Sequence, residues 1–358
     1  YLIDYKSSLS PPDLATILSE NPDIVYAQPN FIYTTQFTPN DSFYNTDQSY
    51  LKNINLPEAW DYTTGNTEIT IAVIDTGTQT THEDLSNSLW TNTSEIPNNG
   101  IDDDNNSFID DTNGWNFITN TKDIADDFGH GTIVAGIISS ETNNNKGIAG
   151  VCPNCKIMTL KSGNRSGDFT TTHVSKAINY AVSQKANIIN LSLGGSVQNS
   201  DDTELNNILS SAYNANITVI SAAGNNNGNI TELNWWPATN TNTIAVSALE
   251  TVSPPSRASY SNFGSSVWIT APGSNIIGPS FSNSNNTTYS RDTGTSMAAP
   301  IVTGVAGLIL STNPNLTPSE IKTIFQQSST DIGTPGHDIY FGYGIVNALQ
   351  AIGFADNE

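Results

Sequence analysis

The stretch "EITIAVIDTG", residues 68–77, decides the fold class that we expect for this chain. Its run of apolar and β-branched residues predicts a buried strand, and Asp75 and Gly77 place a polar turn at the carboxyl end of that strand. Five further runs share this character and also predict buried strands. They are "KIMTLK" (156–161), "ANIINLSL" (186–193), "NITVISAA" (216–223), "TIAVSAL" (243–249) and "VWITAP" (267–272).

Helical patterns lie between and after these strands. Thr317 and Glu320 open the last one as a capping box. The alternation predicts βαβ units, and therefore a three-layer α/β fold in which a mostly parallel sheet carries helices on both faces. Sites in such folds form at the carboxyl ends of the strands. The predicted helices are "HGTIVAGIISS" (130–140), "THVSKAINYAVSQ" (172–184), "TELNNILSSAYN" (203–214), "SMAAPIVTGVAGLIL" (296–310) and "TPSEIKTIFQQSS" (317–329).

The amino-acid composition argues against some classes of binding partner. The formal net charge is −22, which argues against nucleic-acid binding because such proteins carry a basic surface. No run approaches the ~18 apolar residues of a membrane helix, so we expect no membrane partner. An acidic protein of this kind is typical of the extracellular space, where it stays in solution and attracts divalent cations.

Cys152 and Cys155 are the two cysteines of the chain, in "CPNCK". Such a pair can be a redox motif, half of a zinc site or a small disulfide. We favour the disulfide if the protein is secreted. The sequence does not begin with a signal peptide, so we expect that Tyr1 is not the translated N-terminus.

Four residue types suited to acyl transfer stand in glycine-rich turns. Asp75 ends a predicted strand, Asn225 follows another, His130 opens a helix in "GHGT", and Ser296 opens a long apolar helix in "GTSMAAP". A serine hydroxyl needs an imidazole to accept its proton, and the imidazole needs a carboxylate to hold its tautomer. The oxyanion needs donors, here the Asn225 amide and the Ser296 N–H. Each residue alone would more often be structural, but the four together predict a catalytic site.

The chain resembles the subtilases, the subtilisin-like serine proteases. The resemblance covers roughly residues 39–350 and preserves the order acid, histidine, serine. It implies a secreted serine endopeptidase, monomeric and acting on protein or peptide substrates. The motifs that carry it are "AVIDTG" (72–77), "GHGTIVAGI" (129–137), "NLSLGG" (190–195), "AAGN" (222–225) and "GTSMAAP" (294–300).

The resemblance also implies a substrate cleft. A bound peptide would pair as an added strand between "SLGG" (192–195) and the facing edge "SGDF" (166–169), and "WWPA" (235–238) would build a wall of the P1 side-chain pocket. Trp235 is bulkier than the residue of many relatives, which argues against a broad apolar preference there. Ordinary core packing is the alternative interpretation for both tryptophans. The expected substrate-binding residues are Ser192, Leu193, Gly194, Gly195, Gly167, Ala223, Gly224, Trp236 and Ala238.

The first residues differ from the rest of the chain. They predict one short helix followed by an extended strand, and "ENPDIVYAQPNFIY" (20–33) resembles the end of the inhibitory prodomain of subtilases. We therefore expect residues 1–37 to be the C-terminal part of a prodomain, which would act as an intramolecular inhibitor and be cleaved near residues 35–40, or a retained N-terminal extension. Residues 38–358 would form the peptidase domain.

The resemblance implies a calcium site that joins three segments. The side chains of Asp41, Asp84 and Asn144 and the carbonyls of Glu141, Lys146 and Ile148 would supply the oxygen ligands that calcium prefers. An Asn-rich surface turn is the alternative interpretation.

A second calcium site is predicted from "NNGIDDDNNSFIDDTNG" (98–114), which contains five aspartates. Its spacing follows the first half of an EF-hand loop, but Ser107 replaces the turn glycine and no glutamate closes the loop. A solvated acidic loop is the alternative. The expected ligands are Asp102, Asp104, Asn106, Phe108 through its carbonyl, and Asp110 or Asp111.

Three other functions compete with hydrolysis by a serine nucleophile. The D-T-G sequences at Asp75 and Asp292 would suit a pepsin-like aspartic protease, although "TTYSRDTG" is polar where that fold needs an apolar strand. A catalytically inactive peptide-binding relative is a second possibility, but such relatives usually lose a catalytic residue. Transpeptidation by the acyl-enzyme is the third.

Overall fold

A computed structural model describes residues 11–29, 37–197, 203–251 and 254–356. The chain divides into two units, Tyr1–Gln36 and Phe37–Glu358. In the first unit, helix α1 (Pro11–Ser19) is the predicted short helix. Residues 20–29 contain no strand, and the rest of the expected strand, residues 30–33, lies outside the described residues.

The second unit contains the remaining helices. A 3-10 helix covers Ser49–Ile54. The predicted capping box is confirmed, because Thr317 Oγ1 accepts from Glu320 N and the Glu320 carboxylate accepts from Thr317 N. The α-helices are α2 (Tyr44–Asp47), α3 (Leu56–Ala59), α4 (His130–Ser139), α5 (Thr171–Ser183), α6 (Thr203–Asn214), α7 (Ile230–Leu233), α8 (Thr295–Thr312), α9 (Pro318–Ser328) and α10 (Ala348–Ala355).

Within the described residues, seven strands form one parallel sheet in the order β2-β3-β1-β4-β6-β8-β9. Two small antiparallel pairs, β5 with β7 and β10 with β11, stand apart from it. The strands are β1 (Thr70–Asp75), β2 (Gly114–Asn116), β3 (Lys156–Lys161), β4 (Ile188–Leu191), β5 (Gly195–Ser196), β6 (Thr218–Ala222), β7 (Trp235–Trp236), β8 (Thr243–Leu249), β9 (Val267–Pro272), β10 (Ile276–Pro279) and β11 (Tyr289–Asp292).

The sheet separates two apolar layers. Alternate residues of β1 belong to different core clusters: Ile71 and Val73 pack with residues of α4 and α8, whereas Ala72 and Ile74 pack with residues of α5 and α6. Helices therefore cover both faces of the sheet. The predicted three-layer α/β fold is confirmed, and Asp75 lies at the end of a central strand, between the two layers.

Helix α8 contradicts the expectation that no segment is long and apolar enough to span a membrane. It is 18 residues long with a mean hydropathy of 1.5, which is enough by length and composition for a membrane span. In the structure 83% of it is buried. Packing against α4, α10 and the strands of the sheet accounts for its apolar character, as in the core helix of a globular fold.

The two cysteines are joined within the core. Cys152 and Cys155 form a disulfide, and both residues are fully buried. The pair therefore takes the disulfide form that we favoured over a metal or redox site.

Candidate active site

Four predicted residues meet at the carboxyl edge of the sheet. Asp75 ends β1, His130 begins α4, Asn225 follows β6, and Ser296 lies in the first turn of α8. The last three line one cavity of about 260 Å³. The remaining lining residues are Thr76, Phe128, Gly167, Phe169, Ser192, Leu193, Gly194, Ala222, Gly224, Asn226, Trp235 and Thr295.

The carboxylate of Asp75 holds the imidazole of His130. His130 Nδ1 lies 2.8 Å from Asp75 Oδ1 and 3.0 Å from Asp75 Oδ2. Thr76 N also donates to Asp75 Oδ1, at 2.7 Å, and Asp75 is only 1% exposed. With Nδ1 engaged by the carboxylate, Nε2 is the ring nitrogen left to exchange a proton with a substrate or a nucleophile.

The pKa of His130 lies above its ordinary value of 6.5. Burial of the ring is the largest influence and lowers the pKa, but the charge and hydrogen bond of Asp75 raise it, with smaller contributions from Asp292 and Asp126. The carboxylates together outweigh burial, so this site stabilises the protonated form of the His130 ring.

Close packing sets the position of His130. A Cβ added at Gly131 would lie 2.1 Å from Gly77 O, so α4 begins in direct contact with the turn that follows β1. Asp126, which is 3% exposed, ties this region together: its carboxylate accepts from Thr76 Oγ1, Gly129 N and Thr132 N at 2.8–2.9 Å. Asp126 was not predicted from the sequence, although an acid shortly before a helix start is a capping signal.

Two hydrogen-bond donors, the Asn225 amide and the Ser296 N–H, lie close to Gly294. Asn225 Oδ1 accepts from Thr295 N at 2.8 Å and from Thr295 Oγ1 at 3.0 Å, which fixes the orientation of the amide. A Cβ added at Gly294 would lie 3.1 Å from Asn225 Nδ2 and 3.6 Å from Ser296 N. Glycine at position 294 therefore leaves space in front of both donors, at the N-terminus of α8, where the helix dipole favours negative charge.

A hydrogen-bond chain connects the predicted substrate strand to Ser296. Ser192 Oγ donates to Ser296 O at 2.9 Å and accepts from Asn190 Nδ2 at 2.9 Å. Asn190 Oδ1 in turn accepts from Thr303 Oγ1 of α8 at 2.8 Å. These hydrogen bonds thus fix the position of the predicted substrate-binding residues relative to the helix that carries Ser296.

The predicted substrate-binding residues divide into two sets. Ser192, Leu193, Gly194, Gly167 and Gly224 line the cavity. The other four are not among its lining residues. Ala223 and Ala238 are buried in a small apolar cluster, Gly195 pairs with Trp236 across β5 and β7, and the Trp236 ring packs against the α5–α6 core.

The acidic segment, defined here as residues 92–114, gathers carboxylates in the second unit. Oxygen atoms of Glu95, Asp104 and Asp111 all lie within 4.8 Å of one another. Asn92 Nδ2 donates to Asp104 at 3.0 Å and to Asp111 at 2.9 Å, and Tyr180 OH donates to Asp111 at 2.6 Å. This cluster could hold a metal ion. Glu95 was not predicted from the sequence because it precedes the EF-hand-like spacing.

Other predicted ligands of the acidic segment have different partners. Asp102 accepts from the backbone N–H groups of Asn106 and Ser107, and Asp110 forms an ion pair with Lys122 at 2.9 Å. Asn106 does approach the cluster, because its Nδ2 donates to Asp104 at 3.1 Å and to Asp111 at 2.8 Å. The Phe108 ring packs against Trp115, Phe117 and Tyr180 and anchors the segment to the core.

The first predicted calcium site brings Asp84 and Asn144 into contact. Asn144 Nδ2 donates to Asp84 Oδ1 at 2.8 Å, and Ile148 N donates to Asp84 Oδ2 at 3.0 Å. Asp41 accepts from the N–H groups of Asn143 and Asn144. Burial, opposed by these hydrogen bonds to Asp84, raises the pKa of Asp84 to about 7, with the charge of Asp41 as a smaller cause. Glu141 turns its carboxylate to Ser86 and Asn87, and Lys146 pairs with Glu83.

The second D-T-G sequence does not form a carboxylate pair with the first. Asp292 is exposed at the end of the β10–β11 hairpin, whereas Asp75 is buried at the end of a parallel strand and bound to His130. The pepsin-like alternative is therefore wrong, because that chemistry needs two carboxylates that share one proton and the surrounding fold is α/β.

Comparison with known proteins identifies relatives of this site and fold. The model of the subtilase family matches residues 66–344. A thermophilic serine proteinase from Bacillus sp. strain AK1 is 36% identical over 94% of this chain and 74% of its own length. Thermitase from Thermoactinomyces vulgaris is 35% identical over 88% of this chain and 99% of its own length.

A solved structure shares the architecture. A protease from Pseudoalteromonas arctica PAMC 21717 aligns with a TM-score of 0.72 and 29% identity, covering 89% of this chain and all of that chain. Other relatives, at 30–33% identity, carry the word "extracellular" in their names.

Proposed function

Since the chain belongs to the subtilase family and is a serine endopeptidase, we propose that Ser296 is its nucleophile, His130 its general base and acid, Asp75 the residue that orients His130, and Asn225 an oxyanion donor. The observation that carries the assignment is the meeting of these side chains at one cavity. There Asp75 holds His130 Nδ1 at 2.8 Å, and Ser296 opens a helix beside the fixed amide of Asn225.

The reaction follows from this placement. His130 Nε2 accepts the hydroxyl proton as Ser296 Oγ bonds to the carbonyl carbon of the substrate. Asn225 Nδ2 and Ser296 N donate to the oxyanion that forms. His130 then gives the proton to the leaving amine as the C–N bond breaks, and water releases the acyl group by the same steps, with His130 again as base and then acid.

Substrate binding is proposed to use the backbone of the chain. A peptide added as a strand along Ser192–Gly194 places its carbonyl at the N-terminus of α8, because Ser192 is tied directly to Ser296 O. Gly167 lies across the cavity as the facing edge. Pairing through backbone groups is compatible with many substrate sequences, so the pockets that receive the substrate side chains would determine specificity.

Covalent labelling tests the assignment of the nucleophile. A fluorophosphonate should abolish casein hydrolysis and add its mass to the tryptic peptide that contains Ser296, whereas the Ser296→Ala variant should be neither active nor labelled. The matched control is Ser290→Ala, which changes an exposed serine of β11 and should retain both properties. Label on another residue, or full activity after labelling, would refute the proposal, and product masses would reveal transpeptidation as ligated peptides.

We further propose that the protein binds two structural calcium ions. At the acidic segment, Glu95, Asp104 and Asp111 fit a divalent cation because three carboxylates converge there, and Asn106 could add an amide oxygen after a flip of its side chain. Calcium would supply the positive charge that offsets their mutual repulsion. It would thereby hold the segment between β1 and α4 rigid and resistant to self-cleavage.

The other proposed calcium site uses Asp41, Asp84 and Asn144, with backbone carbonyls of residues 141–148. The donor set fits because the Asp84 carboxylate is fully buried and in contact with the Asn144 amide, and burial raises the pKa of Asp84 to about 7. Bound calcium would favour the ionised form, so binding should release a proton near pH 7. Titration calorimetry in two buffers of different ionisation enthalpy, with Asp84→Asn as the variant, measures that proton.

Secretion and maturation complete the proposal. Action outside the cell is supported by relatives named as extracellular proteases, by the disulfide between Cys152 and Cys155 and by the charge of −22. Residues 1–37 would be removed as the end of an inhibitory prodomain. N-terminal sequencing of active enzyme from culture medium should begin near residues 35–40, and a sequence that begins at Tyr1 would contradict this maturation step.

A further inference from the structure

The side chain of Trp235 lies where the substrate residue that carries the scissile carbonyl, the P1 residue, would place its own side chain. Trp235 belongs to β7 and lines the same cavity as His130 and Ser296. Its indole reaches the backbone on two sides: a Cβ added at Gly194 would lie 2.6 Å from Trp235 Nε1, and one added at Gly224 would lie 2.5 Å from Trp235 Cε2. The ring therefore fills the gap between residues 192–194 and 222–225.

The chemistry of the site locates this gap relative to a substrate. The scissile carbonyl must lie near Ser296 Oγ, in front of Asn225 Nδ2 and Ser296 N, and the preceding backbone follows Ser192–Gly194. Strands β4 and β6 are neighbours, so the chain segments that leave their carboxyl ends are the two walls on either side of that carbonyl. The P1 side chain enters between those walls and meets the indole on the floor.

The side of the indole away from the cavity packs against the protein core. It packs against a buried cluster of Ala223, Ile230, Ala238, Ala245 and Val267. Pairing of Ser196 with Trp235 fixes the backbone of β7 against β5. Among the described residues Trp235 Nε1 is buried without a hydrogen-bond partner, so packing and shape rather than a polar contact keep the ring in the pocket.

We propose that Trp235 closes the P1 pocket and restricts this enzyme to cleavage after residues with small side chains, namely glycine, alanine and serine. The inference rests on the proposed function, because it takes Ser296 as the nucleophile that defines P1. A larger side chain would have to displace a ring packed against the core, and pockets of this kind discriminate by about 10–200-fold for a single methylene.

The test uses peptide anilides that share their P4–P2 residues and differ at P1 as Gly, Ala, Leu or Phe. Wild-type enzyme should show kcat/KM at least tenfold higher for Ala than for Leu or Phe. Trp235→Ala should raise the Phe-to-Ala ratio by at least 100-fold, and Trp235→Phe should give an intermediate ratio. Trp268→Ala is the matched control, since Trp268 is another partly buried tryptophan that packs against Tyr343 and does not line the cavity, and its ratio should stay near the wild-type value.

Two outcomes separate this inference from the proposed function. If wild-type enzyme cleaves after Phe or Leu as fast as after Ala, Trp235 does not close the pocket and the inference is wrong, even though Ser296 remains the nucleophile. The same conclusion follows if Trp235→Ala leaves the ratio unchanged. Labelling of Ser296 by a small fluorophosphonate reports the nucleophile independently of P1, so its absence would contradict the proposed function itself.

Discussion

The catalytic edge and the acidic segment both contain carboxylates, but they balance charge in different ways. We give the name catalytic edge to the residues that we propose form or support the active site, namely Asp75, Asp126, His130, Asn225 and Ser296. At the catalytic edge Asp75 is paired with His130, and Asp126 accepts hydrogen bonds from the backbone and from threonine hydroxyls. In the acidic segment Glu95, Asp104 and Asp111 converge and receive hydrogen bonds from amide and hydroxyl groups, while Lys122 pairs with Asp110. Groups of the protein itself balance the charge of the first region, whereas we propose that a cation from solution balances the charge of the second.

This difference predicts how each region responds to the loss of one carboxylate. Removing charge from the catalytic edge should damage turnover and leave the calcium response unchanged. Removing charge from the acidic segment should change the calcium response and leave turnover unchanged. A variant that altered both properties would break the distinction between the two regions.

Asp75→Asn should have the largest effect. It keeps the shape of the side chain but removes the charge that stabilises the imidazolium and the acceptor that holds His130 Nδ1–H, so kcat should fall by about 10⁴-fold. Stopped assays with a peptide anilide measure the loss, and the calcium-dependent shift in melting temperature should be unchanged. A loss below about tenfold would show that Asp75 does not orient His130.

Asn225→Ala should have the next largest effect. Loss of one oxyanion donor should lower kcat by about 10²–10³-fold, the magnitude typical of such donors, with little change in KM because the interaction forms in the transition state. Asn226→Ala, which removes the neighbouring amide, provides the control and should retain kcat within a few fold. Equal losses in both variants would assign the effect to disruption of the loop.

Asp104→Asn tests the acidic segment. The measurement uses the Ser296→Ala variant, which should not cleave itself. When all the proposed calcium ligands are present, millimolar calcium should raise the melting temperature by several degrees above its value in a chelator. Asp104→Asn should lose at least half of that increment, because it removes one of three converging carboxylates. Asp103→Asn carries the same change of charge one residue away, outside the cluster, and should keep the increment. Equal increments in the two variants would place the cation elsewhere.

Sequence patterns were sufficient for the strands of the sheet, because buried parallel strands are continuous apolar runs. The same patterns predicted that Asp75 and Asn225 lie at strand ends and that His130 and Ser296 begin helices, which is where the structure places these four proposed catalytic residues. The β10–β11 hairpin was missed, since "YSRD" (289–292) is polar and largely exposed and carries no strand periodicity. The short β2 (114–116) was missed for its length. Both elements are defined by the partners that tertiary structure provides.

Contacts between distant residues were beyond the reach of local spacing. The EF-hand-like pattern includes Asp104 and Asp111, which lie in one acidic cluster. Glu95 joins that cluster from seven residues before Asp102, the start of the pattern, and Asp110 pairs instead with Lys122. The position of the Trp235 ring depends in the same way on Gly194 and Gly224, which lie on other segments. Sequence patterns indicated the type of chemistry in each region, but the tertiary structure determines which side chains are in contact there.

Asp292→Asn should have the smallest effect and tests the boundary of the catalytic edge. Asp292 is exposed and contributes to the raised pKa of His130. His130 must be neutral to accept a proton, so kcat/KM should increase as the pH rises past the pKa of His130. Loss of the Asp292 charge should move this acid limb to lower pH, by less than about 0.5 unit because solvent screens exposed charges, and the shift should shrink further in 1 M salt. Glu68→Gln removes an equal charge before the amino end of β1 and should leave the limb in place. A shift to higher pH, or equal shifts in both variants, would contradict a local action of Asp292 on His130.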